Sequence, residues 1–84
     1  MNSLATPRFW QLFNALPLET RDLATKNYEL WQKDTTHPSL HFKPVGKYWS
    51  VRVSLGYRAL ARKEGDTYIW FWIGSHDEYE RLIG

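Results

Sequence analysis

Two arginines flank a predicted tight turn and are the first candidates for chemistry. Arg52 precedes this turn and Arg58 follows it. A three-residue loop with Gly56 in the left-handed conformation pairs Val53 with Tyr57. That register places the two arginines directly opposite each other on one face of a hairpin. A two-residue loop instead places them on opposite faces.

Like charges directly opposite each other in a hairpin are unfavourable, so pairing Arg52 with Arg58 calls for a compensating interaction. A bound phosphate supplies one, because guanidinium groups match phosphate oxygens bidentately. The pair therefore indicates an anion site. The alternative is that each arginine extends from its strand into solvent without a ligand.

His76 and Tyr79 lie three residues apart near the end of the chain and share one face if this segment is helical. Histidine exchanges protons near neutral pH, and a tyrosine hydroxyl can donate a proton or, once activated, accept one. The two side chains are therefore candidates for general acid–base catalysis. The alternative is structural: Tyr79 packs on the sheet, and His76 caps the helix or pairs with Asp77.

Other enzyme classes are excluded by the residues present. His37 and His41 are four residues apart, but Pro38 between them disfavours a helix, and no third ligand is evident, so we expect no metal site. The chain has no cysteine, no glycine-rich phosphate loop and no nucleophile elbow. We expect neither a metal nor a small-molecule cofactor.

The net charge of +2 hides an uneven distribution of charge. Residues 37–63 contain no acidic residue and six basic ones: Lys43, Lys47, Arg52, Arg58, Arg62 and Lys63. Tyr48, Trp49 and Tyr57 lie among them, and a basic segment with interspersed aromatic rings is typical of a surface that meets phosphates or an acidic protein. The alternative is a set of solvated charges that protect sheet edges.

Residues 6–33 carry two helical patterns. These helices are expected to support the sheet that positions the candidate site residues. Thr6 followed by Pro7 is typical of an N-cap and first helical position, and apolar side chains then recur at the i, i+4 and i+7 spacing. Pro17 interrupts the pattern and starts a second helix that runs to about Lys33. The sequence therefore predicts a helical hairpin.

From residue 40 the apolar period changes to two, which predicts strands at about 40–45, 47–53, 57–63 and 67–73. Short turns between them indicate an antiparallel meander. The last strand is apolar on both faces, so we expect it to be central, and Gly74 to end it. Ser75 is a good cap for a final helical turn.

The size of the chain, 84 residues and 10.0 kDa, predicts a single domain over residues 1–84. No apolar run approaches the ~20 residues of a membrane span, and the N-terminus lacks the features of a signal peptide. The absence of cysteine fits a reducing compartment. We therefore expect a soluble, cytoplasmic protein that makes no contact with membranes.

Four segments resemble a known family: His37–Lys43, Tyr48–Val53, Gly56–Leu60 and Trp70–Tyr79. They are similar to the RelE/ParE superfamily of toxins from type II toxin–antitoxin systems. The most specific parts are the Tyr-Arg pair after the hairpin glycine and the Ile-Gly-Ser-His-x-x-Tyr sequence near the C-terminus. The resemblance implies an α+β fold: an N-terminal helical hairpin packed on a twisted, mainly antiparallel four-stranded sheet, with a short C-terminal helical turn.

Resemblance to the RelE-like branch of this superfamily implies that the protein is a ribosome-dependent, metal-independent endoribonuclease that inhibits translation. It cuts mRNA in the ribosomal A site, where the ribose 2′-hydroxyl attacks the adjacent phosphate. The resemblance makes Arg58 the phosphate clamp, and it places His76 and Tyr79 near the family's other catalytic positions. A second group orients or stacks on the RNA: Lys43, Lys47, Tyr48, Trp49, Arg52 and Arg62.

Two features of the resemblance leave alternatives open. The lysine pair that some members carry before the hairpin is missing here, so the assignment of acid and base stays open. The ParE-like branch shares the fold but inhibits DNA gyrase without a nuclease site, and an inactive binding protein is a further alternative. In each active case we expect a cognate antitoxin with an acidic segment, laid as a helix or strand across the sheet or the helical hairpin.

Overall fold

The computed structural model describes residues 2–84. Within this range the main elements are β1 (Asn2–Ala5), α1 (Pro7–Asn14), α2 (Leu18–Lys33), β2 (Lys43–Val45), β3 (Tyr48–Ser54), β4 (Tyr57–Glu64), β5 (Thr67–Ser75) and α3 (His76–Ile83). The strands form one mixed sheet in the order β1-β5-β4-β3-β2. The α+β class, the helical hairpin, the antiparallel meander and the C-terminal helix are confirmed.

The predicted helix caps are present in the structure. The Thr6 hydroxyl accepts the Phe9 backbone N–H at 3.1 Å, with proline at the first helical position of α1. The Ser75 hydroxyl accepts the Glu78 N–H at 3.2 Å and caps α3. Each cap satisfies a backbone donor that the first helical turn leaves unpaired, so both helix starts follow from local sequence.

The predicted strand count is wrong, because the sheet has a fifth strand within residues 2–84. β1 pairs in parallel with β5, with Asn2 opposite Thr67 and Ala5 opposite Trp70. In a four-stranded meander β5 would be an edge strand, whereas β1 makes it the interior strand that its apolar faces require. A four-residue strand with a partner more than sixty residues away leaves no local pattern to read.

Two strand boundaries also differ from the prediction. Residues expected to start the first meander strand form instead a short 3₁₀ helix, Pro38–Leu40, followed by His41 in the left-handed conformation at φ 46°. The strand proper begins at Lys43. At the other end β5 continues through Gly74 to Ser75, since Gly74 still pairs with Arg58.

The two faces of the sheet are different in composition. Helices α1 and α2 pack on one face, the covered face, whose core residues are Trp31, Leu40, Val51, Val53, Ala59, Ala61, Tyr68, Trp70 and Ile73. Side chains alternate along each strand, and directly paired residues share a face. The register therefore places a second set on the opposite side, the basic face: Lys43, Tyr48, Ser50, Arg52, Arg58, Leu60, Arg62 and Trp72.

Candidate nucleic-acid interface

Arg52 and Arg58 are directly paired on the basic face, as the three-residue loop predicted, but the chain reaches this arrangement by another route. Ser54 pairs with Tyr57, so the turn has two residues, and a bulge lies between Arg52 and Ser54. The left-handed glycines of residues 2–84 are Gly46 and Gly65, so Gly56 does not adopt the left-handed conformation that the three-residue loop requires. The extra bulge residue restores the two arginines to one face.

The Arg58 guanidinium is held against the hairpin turn. Its Nη1 donates hydrogen bonds to the backbone carbonyls of Ser54 at 2.6 Å, Tyr57 at 2.8 Å and Leu55 at 3.2 Å. These bonds engage one end of the guanidinium and fix its position before any ligand arrives. A cation that is already fixed stabilises developing negative charge without a reorganisation cost at the moment of reaction.

Burial is the largest influence on the pKa of Arg58 and lowers it from its ordinary value. The neighbouring Arg52 charge lowers the pKa further, while Tyr79 and Glu80 act in the opposite direction. An arginine side chain nevertheless stays protonated at neutral pH. The protein therefore holds a partly desolvated cation next to a second one, an arrangement that an anion stabilises.

The surroundings of Arg52 also favour an anion site. Its Nη1 lies 3.4 Å from His41 Nε2. Its Nε is buried and finds no hydrogen-bond partner within residues 2–84. This Nε is closed to solvent, so it is not available to an incoming anion. Arg52 therefore contributes a second positive charge directly opposite Arg58, which favours an anion site.

α3 brings His76 and Tyr79 to the end of the sheet where the arginines lie. The His76 backbone N–H donates to the Gly56 carbonyl at 2.8 Å, which ties the start of α3 to the β3–β4 turn. The His76 and Tyr79 rings are 5.9 Å apart between centroids. The candidate acid–base residues and the candidate phosphate clamp therefore share one end of the sheet.

The two α3 side chains differ in exposure. The His76 side chain is 42% exposed, and its Nε2 lies 3.2 Å from Glu80 Oε1, so the pairing suggested for Asp77 is wrong. Tyr79 is only 5% exposed. His76 can therefore meet a substrate directly, whereas Tyr79 acts first of all as a buried support for the helix.

Three further predicted residues extend this group across the basic face. Lys43 pairs with Ser50 at the β2 edge, and Tyr48 packs its ring on Phe71 at 5.0 Å. Lys47, in the β2–β3 turn, lies 5.7 Å from the centre of the Tyr48 ring. Cations and an aromatic ring are thus available beyond the arginine pair.

Arg62 occupies the same face but has a partner. Its Nε donates to Glu64 Oε2 at 2.9 Å, and both side chains are about half exposed, at 49% and 62%. Exposed ion pairs contribute little to stability and exchange readily with other partners. Arg62 is therefore available to a phosphate, with a weaker field than the unpaired basic residues provide.

Trp49 lies apart from the other predicted RNA-binding residues. It is directed to the covered face, where its ring stacks on Phe42 at 4.9 Å and meets Tyr68 edge-on at 5.6 Å. Lys63 is on that side too, with its Nζ 5.4 Å from the centre of the Tyr68 ring. The fold thus divides the basic segment between the two faces of the sheet.

Trp72 is a residue of the basic face that the sequence did not single out. The register shifts in β5 between the partners of Leu60 and Ala61, so Trp70 faces the core while Trp72 pairs with Leu60 on the basic face. Its indole sits over Gly74: a Cβ added there would lie 2.5 Å from Trp72 Cζ2. A β-bulge leaves no clear mark in sequence, which is why alternation alone missed this residue.

Comparison with known proteins shows the family. A family model described as the ParE-like toxin domain matches residues 19–81, and the chain belongs to this family. The predicted assignment to the RelE/ParE superfamily of toxin–antitoxin toxins is thereby confirmed. A search of curated protein sequences gives no match.

Solved structures share the fold at low sequence identity. The RelB–RelE antitoxin–toxin complex from Methanococcus jannaschii aligns with a TM-score of 0.75 at 18% identity, covering 96% of this chain and 99% of that one. The YoeB/ParE toxin from Agrobacterium tumefaciens aligns at 0.68 and 14% identity, covering 90% and 99%. YafQ from Escherichia coli aligns at 0.68 and 12% identity, covering 99% and 98%.

No three metal-ligating side chains of residues 2–84 come close enough together to hold a metal ion. None of the helices in this part of the chain is both long and apolar enough to cross a bilayer. The paired arginines, together with α3 at the same end of the sheet, make the basic face the candidate functional site.

Proposed function

We propose that this toxin is a ribosome-dependent endoribonuclease that cuts mRNA and so inhibits translation. The observation that carries the proposal is the direct pairing of Arg52 and Arg58, at the end of the sheet where the His76 backbone is tied to the β3–β4 turn. Paired cations and a proton-transfer group at the same end of the sheet are the parts that phosphoryl transfer requires.

The proposed reaction is an internal transfer within the RNA. The ribose 2′-oxygen attacks the adjacent phosphorus and loses its proton, the bond from phosphorus to the 5′-oxygen breaks, and that oxygen takes up a proton. The products are a 2′,3′-cyclic phosphate and a 5′-hydroxyl end. Arg58 and Arg52 bind the non-bridging oxygens, on which negative charge grows as the fifth bond forms.

His76 is the proposed proton-transfer residue, because it is the more exposed of the two α3 candidates. The Glu80 carboxylate lies 3.2 Å from the His76 Nε2, but this pair is exposed and exchanges readily, so either ring nitrogen is available to the RNA. Tyr79 is proposed as a positioning residue, since its buried ring lies beside the imidazole and anchors α3. Loss of either side chain is expected to slow cleavage, with the larger effect at His76.

The rest of the basic face is proposed to bind the RNA backbone. Lys43, Lys47 and Arg62 supply charge along the sheet, and Tyr48 lies among them. Most of the affinity of such a surface is electrostatic and independent of sequence. Trp49 packs on the covered face and has no part in this proposal.

We further propose that this single-domain toxin has a cognate antitoxin as its partner and inhibitor. Both proteins are proposed to act in the cytoplasm. A structural relative from Methanococcus jannaschii is titled an antitoxin–toxin complex, which supports this proposal. An acidic antitoxin segment complements the basic face, so the affinity of the complex is expected to fall as salt rises. Affinity that is indifferent to salt would assign the binding energy to apolar contacts.

The experiment that tests the nuclease uses purified toxin, purified ribosomes and a short defined mRNA. Cleavage within the A-site codon is expected for the wild type, and little or none for Arg58→Ala. Lys63→Ala is the matched control, because it removes one positive charge from the same strand but from the covered face. Intact mRNA with wild-type toxin, at concentrations that stop translation in cells, contradicts the proposal.

Gyrase inhibition is the second candidate, and the match to a ParE-like toxin model favours it. A parallel assay therefore measures DNA supercoiling by purified gyrase with toxin at equal concentration. Loss of supercoiling together with intact mRNA assigns the toxin to this class. Unaffected supercoiling together with cut mRNA assigns it to the nucleases.

A further inference from the structure

We propose that Trp72 is the stacking platform for a nucleobase of the bound mRNA. The inference rests on the proposed nuclease function, and it concerns how the substrate is held rather than how it is cut. The register places Trp72 on the basic face, opposite Leu60.

Trp72 lies close to the proposed phosphate site. It pairs with Leu60, and two residues further along β5 Gly74 pairs with Arg58. Two positions along a strand are separated by about 7 Å. A nucleotide whose phosphate lies between Arg52 and Arg58 can therefore place its base near the Trp72 ring.

The indole ring lies against the surface of the sheet and does not project into solvent. The three ring carbons nearest to a Cβ built on Gly74 are Cζ2, Cη2 and Cε2, at 2.5, 3.0 and 3.2 Å. All three belong to the six-membered ring, which therefore lies over the Gly74 backbone. Glycine permits this close approach, and a ring supported on one side by backbone is a rigid surface for a base.

Trp72 also differs from the other tryptophans of residues 2–84. Trp10, Trp31, Trp49 and Trp70 each have at least one neighbouring aromatic ring within 5.6 Å between centroids. Within the same residues Trp72 has no such ring partner, although it is only partly buried. An aromatic ring without a partner next to an anion site is suited to stacking on a base, which is worth about ten- to a hundredfold in affinity.

Tyr48 is the alternative platform on this face and fits the role less well. Its ring already packs on Phe71 at 5.0 Å, and it lies at the start of β3, several residues away from the arginine pair. Trp72 is the larger ring and is closer in register to Arg58. The structure therefore favours Trp72 for the base attached to the reacting nucleotide or its neighbour.

The test uses ribosomes programmed with mRNAs in which each base of the A-site codon is replaced in turn by an abasic residue. For wild-type toxin we expect one position at which base removal lowers kcat/KM by about tenfold or more. For Trp72→Leu we expect a similar loss on the intact codon and no further loss at that position. Trp72→Phe should fall between the two, and Trp10→Leu should match the wild type.

Each outcome is decisive. Equal kcat/KM and the same dependence on abasic position for Trp72→Leu and wild type overturn the stacking and leave the nuclease intact. Absence of cleavage by the wild type overturns the nuclease, and the stacking with it. If Trp72→Leu does not fold, Trp72→Phe and Gly74→Ala carry the test, because the alanine Cβ must displace the ring without removing it. Wild-type rates and abasic dependence for both contradict the proposal.

Discussion

Along β4, alternate residues meet two different environments, and the comparison between them separates stability from function. Ala59 and Ala61 are buried beneath the helices on the covered face. Arg58 and Arg62 occupy the basic face of the same strand. The covered face lowers its energy by burying apolar area, whereas the basic face brings like charges together at a cost in energy. Such a cost is common at functional sites, where stability and activity compete.

The covered face is organised around Trp31. Its ring meets Phe42, Tyr68 and Trp70 edge-on at 5.4 to 5.6 Å between centroids. Edge-to-face contacts of this kind add to the stability gained from burial alone. A cavity of about 430 Å³ nevertheless lies between the two helices and the sheet, with Trp31 and Trp70 among its lining residues. This face therefore supplies most of the stability without close packing throughout.

The largest expected effect on stability is therefore that of Trp31→Ala. Deleting a large buried ring costs about 3–5 kcal/mol in the free energy of unfolding. Urea unfolding of the variant measures this change. Cleavage per folded molecule should stay at the wild-type value, because Trp31 lies on the face opposite the arginines. A loss below about 1 kcal/mol would show that the helices contribute little to the core.

Arg58→Ala is expected to have the largest effect on activity. Removal of one group that stabilises developing charge typically costs about a hundred- to a thousandfold in rate. The steady-state rate at which toxin cuts mRNA on ribosomes measures the loss of activity. Circular dichroism shows whether the variant is folded. Wild-type cleavage by a folded Arg58→Ala protein would remove the basic face from the mechanism.

Arg52→Met should change stability and activity in opposite directions. The substitution retains an unbranched side-chain stem and removes one of two like charges that lie directly opposite each other. Relief of this repulsion is expected to raise the free energy of unfolding by about 0.2–1 kcal/mol, while cleavage falls. Thermal unfolding and cleavage rates check the two signs. An Arg52→Met variant that is less stable and fully active would contradict the claim that this arginine lowers stability and contributes to activity.

The smallest expected effect comes from the loss of single lysines of the sheet. Lys43→Ala removes one charge from the basic face and should reduce the slope of log affinity against log salt by about 0.7 for single-stranded RNA. Lys63→Ala removes one charge from the covered face and should leave the slope unchanged. Titration of a non-cleavable 2′-O-methyl RNA at several salt concentrations measures both. Equal slopes for the two variants would mean that the faces do not differ in RNA binding.

Much of the fold could be predicted because its signals are local. Thr6, Pro7 and Ser75 mark helix starts within a few residues of the hydrogen bonds they make. The period of the apolar residues separates the helices from the strands. β1 could not be found in this way, since its hydrogen bonds depend on β5, at the far end of the sequence.

The candidate site was predicted in part, for a related reason. Arg52 and Arg58 flank a turn, so sequence spacing was enough to suggest that they pair. The bulge that makes them share a face adds one residue without changing composition, and a second bulge decides which face Trp72 occupies. Alternation assigns faces only while the register is regular, so residues beyond a bulge have to be placed from the structure.

The central claim is that the basic face cuts mRNA, and mapping of transcript 5′ ends in cells tests it most directly. Wild-type toxin, Arg58→Ala and Lys63→Ala are each induced without antitoxin, and the new 5′ ends are located relative to the reading frame. The account predicts cuts within codons for the wild type and Lys63→Ala, and none above background for Arg58→Ala. Growth arrest by the wild type with transcripts left intact would contradict it.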